Sequence, residues 1–284
     1  MPRNIIDLGE LHDRIVVFGG PYSNLEATEA LLKTVDDLGV PRSHVLCTGD
    51  MVAYCADPVE VLALLRSSGF GLLLKGNCEE ALANNAKDCG CGFDEGSACH
   101  RLSKDWYSHA VQSLDDETKQ WLAGLPDQAV FNFGGKRFSV VHGGARQNNA
   151  FIFETTPHSV KREEIELAGS DAVICGHSGL FFTEVFGEAC WHNAGVIGMP
   201  ANDGTPRVWY SVIDSIPEGI RFSHLPLAYD FKITQEKMRK AGLPEGYASA
   251  LETGLWPSCD VLTDAEKQKC GVEAVPRQHI WKTV

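Results

Sequence analysis

His44-Val45-Leu46-Cys47-Thr48-Gly49-Asp50-Met51-Val52-Ala53-Tyr54-Cys55-Ala56-Asp57-Pro58 is the stretch whose reading decides the fold. His44-Val45-Leu46-Cys47 reads as a strand that stops at Gly49-Asp50, residues that turns favour. Asp57-Pro58 then opens a helix, with Asp as its cap and Pro at the first helical position, where a missing N–H costs nothing. A similar unit precedes it. Residues 14–18 form an apolar strand running into Gly19-Gly20-Pro21, and a helix is predicted over 24–38, with Leu25, Leu31, Leu32, Val35 and Leu38 near helical spacing. Further on, Gly71-Leu72-Leu73-Leu74 is a third short strand, ending at Gly76-Asn77. Strands alternating with helices, each strand running into a Gly-polar turn, predict an α/β sheet whose site lies at the strand ends.

The second half is strand-rich. Residues 129–133 and 137–141, separated by Gly134-Gly135, form a hairpin signal, and 172–175, 181–186, 189–192, 207–213 and 220–225 read as further strands. A helical segment over 233–253 follows, then a polar tail over 263–284 that is expected to be loosely ordered. A mostly parallel half and a strand-rich half suggest two packed sheets flanked by helices. The expected organisation is one domain over 1–262 with a Cys-rich insertion at about 78–100.

Composition is that of a globular chain, 44% hydrophobic and 22% charged. The formal net charge of −13 argues against a nucleic-acid backbone or an anionic membrane as partner, but leaves small phosphorylated molecules open. Neither a signal peptide nor a membrane-length apolar run is read, so a cytoplasmic location is expected. In that compartment the ten cysteines are expected to be thiols, metal ligands or redox groups.

Four strand ends carry metal-binding residue types in chain order: Gly49-Asp50, Gly76-Asn77, His142-Gly143-Gly144 and Gly176-His177. Each alone is what any turn favours. Together they resemble the calcineurin-like metallophosphoesterases, whose motifs run Asp-x-His, Gly-Asp, Gly-Asn-His, a His before Gly, and Gly-His-x-His. The chain looks closest to a small bacterial phosphodiesterase-like branch, in which the Gly-Asp phrase is close to Gly-Asp-Leu-Val-Gly-Tyr-Gly-Pro-Asp-Pro. Asn193-Ala194-Gly195-Val196-Ile197-Gly198-Met199-Pro200 is similar to that branch's Asn-Pro-Gly-Ser-Val-Gly-Gln-Pro, and Asn24-Leu25-Glu26-Ala27 matches the helix start after its first motif. The likeness spans about residues 15–251. It implies a four-layer α/β/β/α sandwich with two mixed β-sheets.

The resemblance implies one metal on Asp50, Asn77, His142 and His177, a donor set suited to Mn, Fe or Zn. The other metal's ligands are missing. Asp-x-His falls on Gly20-Pro21-Tyr22, and the second His of Gly-His-x-His falls on Gly179. The His that assists the leaving group in the family is Cys78 here, and a thiol is a weak hydrogen-bond donor. Three readings stay open: a one-metal phosphoesterase with Cys78 facing the substrate and Arg146 meeting a phosphate; a degenerate protein that binds a metal or phosphorylated ligand without turnover; and a mononuclear iron site on Asp50, His142 and His177 doing non-hydrolytic chemistry. Tyr22, Ser23, Cys78 and His192 are candidates to replace lost ligands.

Cys89, Cys91 and Cys99 read either as a small Zn or iron–sulfur site, with Cys78 as a further sulfur, or as small half-buried fillers of a Gly-rich loop. Trp106, Tyr107 and Trp121 are expected to anchor helices. Trp256-Pro257 is expected to cap the core, with no chemical role.

Overall fold

The computed structural model describes residues 3–282. It contains two mixed six-stranded sheets. The strands are β1 (Ile5–Glu10), β2 (Arg14–Phe18), β3 (Val45–Cys47), β4 (Leu72–Leu73), β5 (Gln128–Phe133), β6 (Lys136–Val140), β7 (Ala172–Cys175), β8 (Phe182–Phe186), β9 (Ala189–Asn193), β10 (Val208–Ile216), β11 (Gly219–Leu227) and β12 (Arg277–Trp281). One sheet has the order β1-β5-β6-β7-β9-β8 and the other β12-β11-β10-β2-β3-β4. The sheets therefore do not follow the two halves of the sequence. The parallel trio β2, β3 and β4 is extended by the antiparallel β10, β11 and β12 from the far end of the chain.

The sheets face each other across an apolar layer that takes Ile15, Val17 and Leu46 from one and Phe131, Phe138 and Ile174 from the other. Phe131 and Phe138 stack with ring centroids 5.1 Å apart. Helices cover the outer faces. On the β2–β4 side lie α1 (Leu25–Leu38), α2 (Pro58–Ser67), α3 (Asn77–Ala83), α4 (Ala98–Ser113) and α5 (Asp116–Gly124). The outer face of the other sheet carries α6 (His158–Ala168). The result is the expected α/β/β/α sandwich, because each sheet has two apolar faces to bury.

Local signals are realised closely. Asn24 caps α1 through its side chain, and Gly39 ends it with φ +66°, a left-handed conformation that glycine adopts without a Cβ penalty. Trp106 and Tyr107 are buried on α4 as expected. The segment expected as one helix over 233–253 is two, α7 (Phe231–Lys240) and α8 (Glu245–Thr253), because Gly242 at φ +70° and Pro244 interrupt it. The stretch expected as a loose tail holds α9 (Asp264–Lys267) and β12, which pairs antiparallel with β11 from Ile220↔Trp281 to His224↔Arg277. Trp281 is 1% exposed and lies 6.1 Å from Phe138, ring to ring. An edge strand needs an apolar residue only where it meets the core, so its polar composition hid it. Among the described residues no helix is long and apolar enough to cross a membrane.

Candidate metal centre

The two sheets bring their strand ends together at one edge of the sandwich. Asp50 follows β3, Asn77 follows β4, His142 follows β6 and His177 follows β7. The approach is close enough that Gly49 has no room for a side chain. A Cβ there would lie 2.7 Å from the Gly76 nitrogen and 2.9 Å from His142 Nδ1, and its φ is +101°. Asp50 itself sits at φ +54°, a region non-glycine residues visit rarely and mostly where surrounding structure holds them.

Asp50, His142 and His177 form a buried group whose donor atoms all lie within 4.8 Å of one another, the one such group of His, Cys, Asp or Glu among the described residues. His142 Nε2 is 3.2 Å from Asp50 Oδ2 and 3.0 Å from His177 Nδ1. It is also 3.0 Å from Asn77 Oδ1. His142 Nδ1 faces the carbonyl of Thr48 at 2.7 Å. That carbonyl can only accept, so it takes the Nδ1 proton and leaves Nε2 of the neutral ring as a lone pair. The Asn77 amide is oriented in the same way, since its Nδ2 donates to the Cys89 carbonyl at 2.9 Å and turns Oδ1 inward. Carboxylate, amide oxygen and two imidazole nitrogens thus converge on one point, an arrangement that suits a cation.

Electrostatics agree. Burial and the neighbouring His142 push His177 down to about 3, so it stays neutral and able to ligate. Burial opposes charge on Asp50 and His142 alike, but their mutual attraction wins. It holds Asp50 below the usual carboxylate range and His142 above the usual histidine value. Without a cation, a proton on His142 Nε2 fills the role.

Glu79 was not singled out by the sequence reading. It is fully buried, and its carboxylate accepts from the backbone N–H of Asp50 (2.8 Å), Gly76 (2.8 Å) and Val52 (3.0 Å). Burial and the Asp50 charge push its carboxyl up to about 7, against the backbone donors of Val52 and Gly76. The available signal was its place three residues after Gly76, the reciprocal position of a capping box at the start of α3.

Other expected residues lie elsewhere. Cys78 donates its backbone N–H to Asp50 Oδ1 at 3.2 Å, but its thiol is buried and is not in the lining of the adjoining pocket. The cysteines in that lining are Cys91 and Cys99. Cys91 Sγ is 3.3 Å from Asn77 Nδ2, and Cys78 Sγ is 3.5 Å from the same atom. Cys99 lies apart, next to Ser258 and Asp260, so Cys89, Cys91 and Cys99 do not converge. Arg146 is largely exposed, turned toward Glu163 at 3.9 Å and Glu164 at 3.8 Å, and does not line the pocket. His192 lies between the sheets, with Nδ1 2.8 Å from Thr183 Oγ1, and takes no part in the centre. Ser23 is buried, with φ +57°.

Gly20, Pro21 and Gly179 offer no side-chain donor, and the space beside them is filled by aromatic rings. A Cβ on Gly20 would lie 2.5–2.8 Å from atoms of the Tyr22 ring. One on Gly179 would touch the Trp256 indole at 3.5 Å. Trp256 is thus part of the pocket wall rather than merely a cap on the core.

The description of the calcineurin-like phosphoesterase superfamily domain matches residues 8–215 of this sequence. The chain belongs to that superfamily. A relative by sequence is the uncharacterized protein MJ0912 of Methanocaldococcus jannaschii, 26% identical over 84% of this chain and 98% of that one. Among solved structures, the hypothetical protein PH1004 of Pyrococcus horikoshii superposes with a TM-score of 0.70 at 18% identity, covering 86% of this chain and 99% of that chain. A metallophosphoesterase of Sphaerobacter thermophilus gives 0.63 at 23% identity, covering 86% and 100%. These structural likenesses establish the calcineurin-like fold, and the centre of Asp50, His142 and His177 is its candidate metal site.

Proposed function

We propose that the chain is a one-metal phosphoesterase, with Asp50, Asn77, His142 and His177 holding a Mn, Fe or Zn ion and a small phosphate mono- or diester as substrate. The observation that carries this reading is the convergence of four potential ligand atoms, with Asn77 Oδ1, His177 Nδ1 and Asp50 Oδ2 all 3.0–3.2 Å from His142 Nε2. A divalent ion bound there would polarise a phosphoryl oxygen and lower the pKa of water. The chain's own residues do the positioning. Thr48 O fixes the His142 tautomer, Cys89 O fixes the Asn77 amide, and Glu79 fixes the backbone that carries Asp50. Hydrolysis breaks the phosphorus–oxygen bond to the leaving alcohol, forms one to a water oxygen, and delivers a proton to the departing oxygen.

One observation favours a second reading, retention of a metal or phosphorylated ligand without turnover. The Cys78 thiol is buried outside the pocket lining, so the position that supplies a leaving-group acid in the family supplies none here. The deciding experiment is metal content of anaerobically purified protein, beside an Asp50→Ala/His177→Ala variant, followed by a phosphoester screen. About one ion per chain, lost in the variant, with turnover of any phosphoester, supports hydrolysis. The same ion without turnover supports the binding reading, and oxygen consumption with Fe(II) and a reductant supports the iron reading. A metal that survives the double change would be held somewhere other than this centre and would overturn the assignment of these ligands. No metal at all overturns the proposal.

A further inference from the structure

The pocket that opens from the centre is more specific than a generic phosphate site. Its wall combines Asp50 and His177 with Tyr22, Met199, Tyr247 and Trp256. Among the described residues no Lys or Arg lines it. We infer that this half of the cleft is an apolar ester subsite, and that the ligand it fits is a monoanionic phosphate diester whose small alkyl group packs against Tyr22 and Trp256. This rests on the one-metal reading above.

Charge selects the diester. A divalent ion and the Asp50 carboxylate leave a net charge of about one positive unit at the centre. A diester monoanion cancels it. A monoester dianion brings one more negative charge into a site whose other walls hold no cation, beside the buried Glu79, and an uncompensated buried charge is costly. Arg146, the basic residue that follows the His142 motif, is turned outward to Glu163 and Glu164.

Shape and chemistry select the group. The cavity measures about 70 Å³. A buried cavity that takes benzene is about twice that size, so a few carbons fit within the walls and a larger group would project from the cleft into solvent. The wall is also held in place before any ligand arrives. Trp256 donates its indole N–H to the Pro200 carbonyl at 2.7 Å and its backbone N–H to Asn202 Oδ1 at 2.8 Å. The Tyr22 ring packs edge-on against Tyr54 with centroids 4.8 Å apart. Such fixed apolar walls favour an alkyl group over water.

The test is calorimetric titration of the zinc-loaded protein with diethyl phosphate and with methyl phosphate, at a pH where the second is a dianion. Zinc content is measured first, and its absence from the wild-type protein sinks the one-metal reading itself. With zinc bound, diethyl phosphate is expected to bind about tenfold more tightly than methyl phosphate. Trp256→Ala should weaken diethyl phosphate by about tenfold, the scale of one or two methylenes in an apolar pocket, and methyl phosphate by clearly less, with zinc content unchanged. Should that variant fail to fold, Met199→Gln, which puts an amide into the same wall, must produce the selective loss. A change in Trp256 fluorescence on adding diethyl phosphate, absent in Trp256→Phe, gives a second readout. Equal or tighter binding of methyl phosphate, or a diester affinity indifferent to both wall variants, overturns the subsite while leaving the metal reading intact.

Discussion

The backbone N–H of Asp50 donates to Glu79 Oε2 across 2.8 Å, so one buried carboxylate positions another. The same oxygen takes the Gly76 N–H, and Oε1 takes that of Val52. Glu79 thereby ties the turn after β3 to the start of α3, and those two segments carry Asp50 and Asn77.

Replacing Glu79 with Ala would strand three buried N–H groups. Each unsatisfied donor costs about 1–3 kcal/mol, and partial relaxation makes the sum smaller than three such terms. We expect Glu79→Ala to lower unfolding stability by about 3–5 kcal/mol in denaturant titration, with loss of bound metal. A change below about 1 kcal/mol would mean that the turn holds Asp50 without Glu79.

Metal affinity should fall on acidification, and His142 sets the sign. Its imidazole is held above the usual histidine value, with burial outweighed by Asp50, so below that pKa a proton occupies Nε2 and must leave before an ion binds. Each pH unit below it lowers apparent affinity by up to about tenfold. His177, near 3, adds no step at ordinary pH. Zinc titrations across about pH 5 to 8 should show one proton released per ion at the acid end. An affinity flat across that range would remove His142 from the ligand set.

The aromatic filling of the cleft makes a directional prediction about metal count. Gly20→Asp alone should not recruit a second ion, because its Cβ would meet the Tyr22 ring at 2.5 Å. Gly20→Asp with Tyr22→His and Gly179→His should raise metal content toward about two per chain, since it removes the ring and restores the donors together. Mass spectrometry of the metal-loaded proteins decides this. A second ion in Gly20→Asp alone would contradict the role assigned to Tyr22.

Trp281→Ala should destabilise the whole domain by about 3–5 kcal/mol, the usual cost of emptying a large aromatic site in a core. Denaturant unfolding gives the number. A neutral effect would place β12 outside the cooperative unit.

The sequence by itself determined the fold class and pointed to the four strand-end residues, Asp50, Asn77, His142 and His177, that the fold brings together. Both are written in local patterns, apolar runs ending in Gly-Asp, Gly-Asn or Gly-His, and strand ends are where an α/β sandwich presents its site. Only the tertiary structure decided what surrounds those ligands. β12 was illegible because an edge strand of polar residues buries a single Trp. Glu79 was passed over because its role lies in backbone N–H groups of the β3 turn, 27 and 29 positions away, that only the fold brings to it. Arg146 and Cys78 stood beside the right motifs yet face elsewhere, because neighbours in sequence on a turn do not share a direction in space. Tyr22 and Trp256 are 234 positions apart in sequence and line one pocket, a proximity that arises where α8 packs beside the turn after β2 and that no local pattern encodes.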